Sequence, residues 1–393
     1  MKKLLFPIMC LLAMSSFAQV TVTTITSDFN GSGGLSLDDA GNLYIADFGD
    51  FLGMPDPDGL PNNVWQLDPQ LNLTVYATDF VGASGNSFDN NGVLYQSDIR
   101  DSAIYRIVGG VRELVTADGI IGPVGIVFDS NDNFYVCNCG NNTIRKVDTN
   151  GSSTLFASGS IFACPNGITI DEDDNLYVVN FSNTNVVKIA PDGSTETIAN
   201  TPAGNGHVDY DPISNNLYIA SYASNQIFSL NINDPQLRII AGTGERGNTD
   251  GEGSQATFST PNGIAVTDDG DSLYVNCAVP LSGAMINPQI VRLITGLNSL
   301  SVDDRNANYS VAAHPNPAQN EIVFSSEQPL AHERLALQVF NALGNTIIKL
   351  NDINTNGQAL SYKLDISEWA SGIYVYALQG DTGSVVNGRF VKR

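Results

Sequence analysis

The chain has 393 residues, 42% apolar and 15% charged, which exceeds what one hydrophobic core usually serves and excludes a solvated, charge-rich disordered chain. Its formal net charge of −23 is concentrated: residues 19–307 hold 34 Asp and Glu against 10 Lys and Arg, whereas 308–393 hold 7 against 6. A field of that sign repels phosphate backbones and anionic lipid, so nucleic-acid binding is disfavoured; cationic ligands or divalent metals are favoured, or acidity simply keeps an exported protein soluble.

The first residues, MKKLLFPIMCLLAMSSFA, set two lysines before an apolar run and end in small residues, Ser16 and Ala18, at the −3 and −1 positions of a cleavage site. Residues 1–18 therefore read as a signal peptide. No later stretch is long and apolar enough for a transmembrane anchor. Cys10 lies inside the apolar run and not beside the cleavage site, which argues against a lipid-anchored cysteine.

From residue 19 the chain repeats itself. An apolar strand, an Asp/Asn/Gly turn and a Leu-Tyr strand recur in GLSLDDAGNLYIAD (34–47), GNSFDNNGVLYQSD (85–98), GIVFDSNDNFYVCN (125–138), GITIDEDDNLYVVN (167–180), HVDYDPISNNLYIAS (207–221) and GIAVTDDGDSLYVN (263–276). Tyr44, Tyr95, Tyr135, Tyr177, Tyr218 and Tyr274 mark a period near forty, with insertions at 49–63 and 242–258. Two further β-rich runs follow the typical copy, giving four strands per repeat, which is the pattern of a β-propeller. The sixth copy has no clear fourth strand, and the β-branched run VTVTTITSD (20–28) stands unclaimed before the first. It is expected to complete the last blade and close a six-bladed ring over residues 19–297.

The stretch AGTGERGNTDGEGSQATFSTPNGIAVTDDGDSLYVN (241–276) closely resembles the NHL repeat, and GIVFDSNDNFYVCNCGNNTIRKVDTNG (125–151) matches its later half. The resemblance implies a fold and no single function, because such propellers include scaffolds, receptors, lyases and nucleic-acid binders.

Beyond a linker at 298–308 the texture changes. Short strands alternate with Gly and Asn turns over 309–393, a pattern that by itself gives a small β-sandwich. Pro315-Asn316-Pro317, Val339-Phe340-Asn341 before Leu343-Gly344-Asn345, Ala370-Ser371-Gly372-Ile373-Tyr374 and the terminal Phe390-Val391-Lys392 resemble the C-terminal sorting domain of the type IX secretion system of Bacteroidetes. That resemblance implies the secretion machinery as a partner and a secreted or cell-surface destination.

In a propeller the residue ending each second strand stands at the top opening. Here those residues are Asp47, Asp98, Asn138, Asn180, Ser221 and Asn276, a ring whose oxygens suit a hard cation such as Ca²⁺, with Asp47, Asp98 and Asn138 as the metal candidates. Asn166 and Asn262 begin inner strands where the other copies carry Gly, Ser or Val, and with His207, Asn180 and Asn276 they form a candidate ligand set; the same residue types also simply favour turns. The Asp-rich hairpins 129–133, 171–175 and 267–271 lack the spacing of an EF-hand loop and read as turns. His207 is the sole histidine of the propeller, so it is a candidate lone acid or base and cannot build a multi-histidine metal site. Cys139 and Cys164 both fall at the top face and can form a disulfide, leaving Cys137 and Cys277 as buried thiols. The two insertions are expected to stand together over a polar opening.

Two functions remain. One is an extracellular module binding a glycan, a peptide or a matrix protein. The other is a metal-dependent hydrolase or lyase, as the resemblance to lactonase and amidating-lyase propellers suggests, although the ring lacks their glutamate. The missing glutamate and histidine constellation favours binding.

Overall fold

The repeated phrase folds as a clamp. In the fourth copy Asp171 Oδ1 accepts the backbone N–H groups of Asp173 and Asn175, Asn175 Nδ2 donates to both carboxylate oxygens, and the Tyr177 hydroxyl donates to Oδ2 at 2.9 Å. Asp129 with Asn133 and Tyr135, and Asp38 with Asn42 and Tyr44, do the same. The Asp-rich hairpins are thus Asx-type turns that tie the inner strand to the second and fix its register. Desolvation, with Asp171 next, raises the Tyr177 hydroxyl far above its ordinary value, so it stays a donor.

The computed structural model describes residues 20–52, 59–297, 311–329, 334–341, 346–355, 358–380 and 385–393. The expected signal peptide at 1–18 and the expected linker at 298–308 lie outside the described residues. The chain divides at 301/302 into two compact units.

The first unit holds six antiparallel sheets. Blade one is Leu35–Leu37, Leu43–Ala46, Asn62–Leu67 and Leu73–Phe80, and blade two is Ala83–Phe88, Leu94–Asp98, Ala103–Val108 and Val111–Thr116. Blade three is Pro123–Phe128, Phe134–Asn138, Thr143–Val147 and Ser153–Ser158, and blade four is Pro165–Ile170, Leu176–Asn180, Asn185–Ile189 and Thr195–Asn200. Blade five is Asn205–Asp211, Asn216–Ser221, Gln226–Asn231 and Asp234–Ala241. In blade six Ile264–Val266, Ser272–Ala278 and Gln289–Thr295 are completed by Thr21–Thr24, with Val22 opposite Ile294. Each inner strand touches the inner strands of the blades before and after it, and blade six touches blade one, so the ring is closed.

Blade six gains one more strand, Gly251–Glu252, from the insertion 242–258. Asp250 accepts from Thr24 N and Oγ1 and pairs with Arg292 Nη2 at 2.8 Å. Arg292 is fully buried, its guanidinium over the Phe258 ring. This insertion was expected over the opening. It runs instead to the outer edge of blade six, because an unpaired strand edge there recruits it.

The second unit is a sandwich of two sheets, one of Val311–His314, Glu321–Pro329 and Ala359–Asp365, the other of Thr346–Asn354, Arg334–Asn341, Gly372–Gly380 and Val385–Lys392. Phe324 of one sheet meets Tyr376 of the other edge to face at 4.8 Å, and Leu337, Val339, Leu360 and Phe390 fill the space around them.

Candidate functional site

Along the ring axis, inner strands approach each other at glycines. A Cβ on Gly85 would lie 2.3 Å from the Val124 carbonyl oxygen, and one on Gly125 2.6 Å from that of Asn166, so no larger residue fits. The same register position carries Gly34, Gly85, Gly125, Gly167 and Gly263 in five blades and His207 in the fifth. The imidazole extends into the room the glycines leave. It reaches blade one, where a Cβ on Gly34 would be 3.0 Å from His207 Cε1 and 3.3 Å from Nε2.

His207 is thereby a plug. Above it lies a cavity of about 680 Å³ lined by Phe48, Leu52, Val81, Ile99, Val124 and Phe181, the Cys139 and Cys164 sulfurs, and the polar Ser84, Arg100, Asn166 and Asn262. Below it lies a second cavity of about 460 Å³, reached from the turn face and containing Ser36, Asn86, Thr169 and Asp209. His207 lines both. Burial pushes its pKa down to about 4, so the ring is neutral at physiological pH, and its buried Nε2 has no hydrogen-bond partner.

The upper opening is apolar rather than polar, for a reason of one residue. Asp47, Asp98, Asn138, Asn180, Ser221 and Asn276 stand at or near the ends of the second strands but are almost wholly buried and, Ser221 apart, are hydrogen-bonded to neighbouring loop groups. Asn138 Nδ2 donates to Gly119 O and its Oδ1 accepts from Ile121 N; Asn180 Oδ1 accepts from Ala163 N and its Nδ2 donates to Asn185 O. Asn276 Nδ2 donates to Gly31 O and Gly33 O while Oδ1 accepts from Gly263 N. Asp98 accepts from Val81 N, Arg100 N and Asp101 N, and Asp47 from Ser32 Oγ, Gly49 N and Asn287 Nδ2. Because side chains alternate along a strand, the residues one step on, Phe48, Ile99, Cys139 and Phe181, are the ones that line the cavity.

Asp47, Asp98 and Asn138 therefore do not fit a shared Ca²⁺. Their oxygens already serve the loops of three separate blades, and no group of three or more His, Cys, Asp or Glu placed to hold a metal occurs among the described residues. Asn166 and Asn262 also act between blades. Asn166 Nδ2 donates to Asn205 O and Gly206 O, Asn262 Nδ2 donates to Ser32 O, and Asn262 O accepts from His207 N at 2.8 Å. Both still contribute to the cavity wall beside His207.

Cys139 and Cys164 form a disulfide between blades three and four at the rim. Cys137 and Cys277 are buried free thiols whose pKa burial raises, which keeps them unreactive. From the insertion 49–63, residues 53–58 lie outside the described residues. Phe48, just before it, and Leu52 in its first part join the cavity wall, and Phe51 pairs with Met285 of blade six. The sequence reading passed over the 279–288 loop that supports it, and over Arg100 and Asp209. The signal for the mouth was available in the residue after each of the six polar positions at or near the second-strand ends, which is aromatic or aliphatic in four of six copies, Phe48, Ile99, Phe181 and Tyr222.

Comparison with known proteins agrees with this architecture. Residues 312–393 match the secretion system C-terminal sorting domain, residues 140–302 the Teneurin NHL domain, and residues 121–147 the NHL repeat. The chain is an NHL-repeat β-propeller followed by a type IX sorting domain, and so an exported protein with the secretion machinery as a partner. No curated protein matches the sequence. Among solved structures, a protein of unknown function from Bacteroides thetaiotaomicron shares 15% identity over 70% of this chain and 76% of its own, with a TM-score of 0.57. An auxiliary nutrient binding protein from the same organism shares 14% over 71% and 77%, TM-score 0.55. A gluconolactonase from Xanthomonas campestris shares 16% over 71% and 91%, TM-score 0.54. At these identities the likeness is one of fold.

Proposed function

We propose that the protein is an extracellular binding module that takes an aliphatic or aromatic side chain of a peptide into the upper cavity, without turning it over. The observation that carries this reading is the apolar wall of Phe48, Leu52, Val81, Ile99 and Phe181 around a floor whose polar groups are few: His207, Asn166 and Asn262. Such a cavity gains by burying apolar surface and uses its few polar groups for orientation. Asn166 and Asn262 stand beside His207 on the floor to orient the peptide, and Arg100 at the rim suits a carboxylate. The sorting domain supports an outside location for such binding.

The test is titration of the purified protein with N-acetyl amides of Phe, Tyr, Leu and Gly by calorimetry. Saturable binding of the first three, weak or absent binding of the Gly compound, and a loss of at least tenfold in Phe181→Ala are expected. Stoichiometric metal in the protein together with lactone hydrolysis that chelation abolishes would replace this reading with the hydrolase one.

A further inference from the structure

We infer that the lower cavity is a second site, independent of the upper one, and that it takes a single small polyhydroxylated ligand such as a monosaccharide unit. The argument begins with Asp209, whose side chain projects on the same face of the strand as His207, two residues earlier. Its Oδ1 accepts from Tyr210 N at 2.9 Å and from Thr169 Oγ1 of blade four at 3.4 Å, and its Oδ2 accepts from Val266 N of blade six at 2.9 Å. A carboxylate offers about four acceptor positions, so one on Oδ2 is not taken by these bonds, and Asp209 lines the cavity.

No Lys or Arg lines this cavity, and burial raises the Asp209 carboxyl to about 6. Two further polar groups there are buried and lack partners: Asn86 Nδ2, with two hydrogens to donate, and His207 Nε2. Asn86 is held in place by Ser36 Oγ, which donates toward its Oδ1 at 2.7 Å. A ligand that satisfies this set has to accept from Asn86, donate to Asp209 and exchange a hydrogen bond with the imidazole. An ammonium group does only the donating and an anion only the accepting, and an anion is repelled by Asp209. Hydroxyl groups do both. The remaining wall, with Phe88, Val127 and Ile168, is apolar and suits the C–H face of a sugar ring. The volume of about 460 Å³ lies within the range of small-molecule sites.

The experiment uses the full protein with glucose, galactose, mannose and N-acetylglucosamine as probes, followed by calorimetry and by the nitrogen resonances of His207. Saturable binding of at least one sugar, with a shift of the His207 Nε2 resonance, is expected. Asp209→Asn and Asn86→Ala should each weaken it by at least tenfold, as loss of a hydrogen bond to a charged or buried partner does, while melting cooperatively. Phe181→Ala in the upper cavity should leave it unchanged, so failure of the peptide site and failure of this one are read separately. Absence of sugar binding up to the solubility limit overturns the inference. So does sugar binding indifferent to Asp209→Asn, and so does putrescine binding where every sugar is inert, which would make this a cation site.

Discussion

Replacing His207 by Gln removes one of two opposed titrations buried along the same channel. Burial holds the imidazole at about 4 instead of 6.5, so the unfolded chain takes up a proton first and native stability falls as pH drops through that window. Asp209 is displaced the other way, from 3.8 to about 6, so the native state takes up the proton first and stability falls as pH rises through its window. Each displacement corresponds to about 3 kcal/mol at the far side of its window. In the wild type the two nearly cancel between about pH 4 and 6. His207→Gln should therefore gain about 3 kcal/mol relative to wild type as pH falls from about 6.5 to 4, and Asp209→Asn should gain a similar amount as pH rises from about 4 to 6. Urea unfolding at a series of pH values, taken as variant minus wild type so that the other carboxyls drop out, measures both. Difference curves that stay level within about 1 kcal/mol across the window would refute the reasoning.

Reducing the Cys139–Cys164 disulfide, whose partners are 25 residues apart, should lower unfolding stability by about 3 kcal/mol, read as a shift in the urea midpoint with and without reductant. Asp250→Ala strips the fully buried Arg292 of its carboxylate and unpins Thr24, and should cost about 3 kcal/mol; Asp250→Asn, which keeps the Thr24 contacts, should cost less. Asp171→Ala deletes the bonds to Asp173 N, Asn175 and Tyr177, and a loss of about 2 kcal/mol in thermal or urea unfolding is expected. Cells producing the chain without residues 309–393 should retain the propeller inside, which immunoblots of surface and medium fractions would reveal.

Most of the fold was legible because the repeat is written in hydrogen bonds. The Asp, Asn and Tyr of each clamp recur in register, and the unclaimed strand at 20–28 announced the closure that Thr21–Thr24 makes with Gln289–Thr295. The site was less legible. A strand ending one residue earlier or later points its side chain to the opposite face, so the polar ring Asp47, Asp98, Asn138 and Asn180 went to the loops while its apolar successors went to the mouth. His207 was marked by its rarity, yet what makes it distinctive is the five glycines at its level, visible only when the copies are laid in register. The path of the 242–258 insertion depended on an open edge at blade six, which no local pattern records.

The sixth blade is assembled from both ends of the propeller, its outer portion from Thr21–Thr24 edged by Gly251–Glu252 and the rest from residues beyond 260. A chain emerging N-terminus first must therefore keep its first strand waiting until nearly the entire propeller has followed. Bringing those ends together carries the entropy of a loop of some 270 residues, yet that cost grows only logarithmically with length. What the arrangement enforces is completeness: a copy cut short at either end leaves an open edge on blade six. A ring that latches only when whole therefore has few partly built states that keep every edge covered.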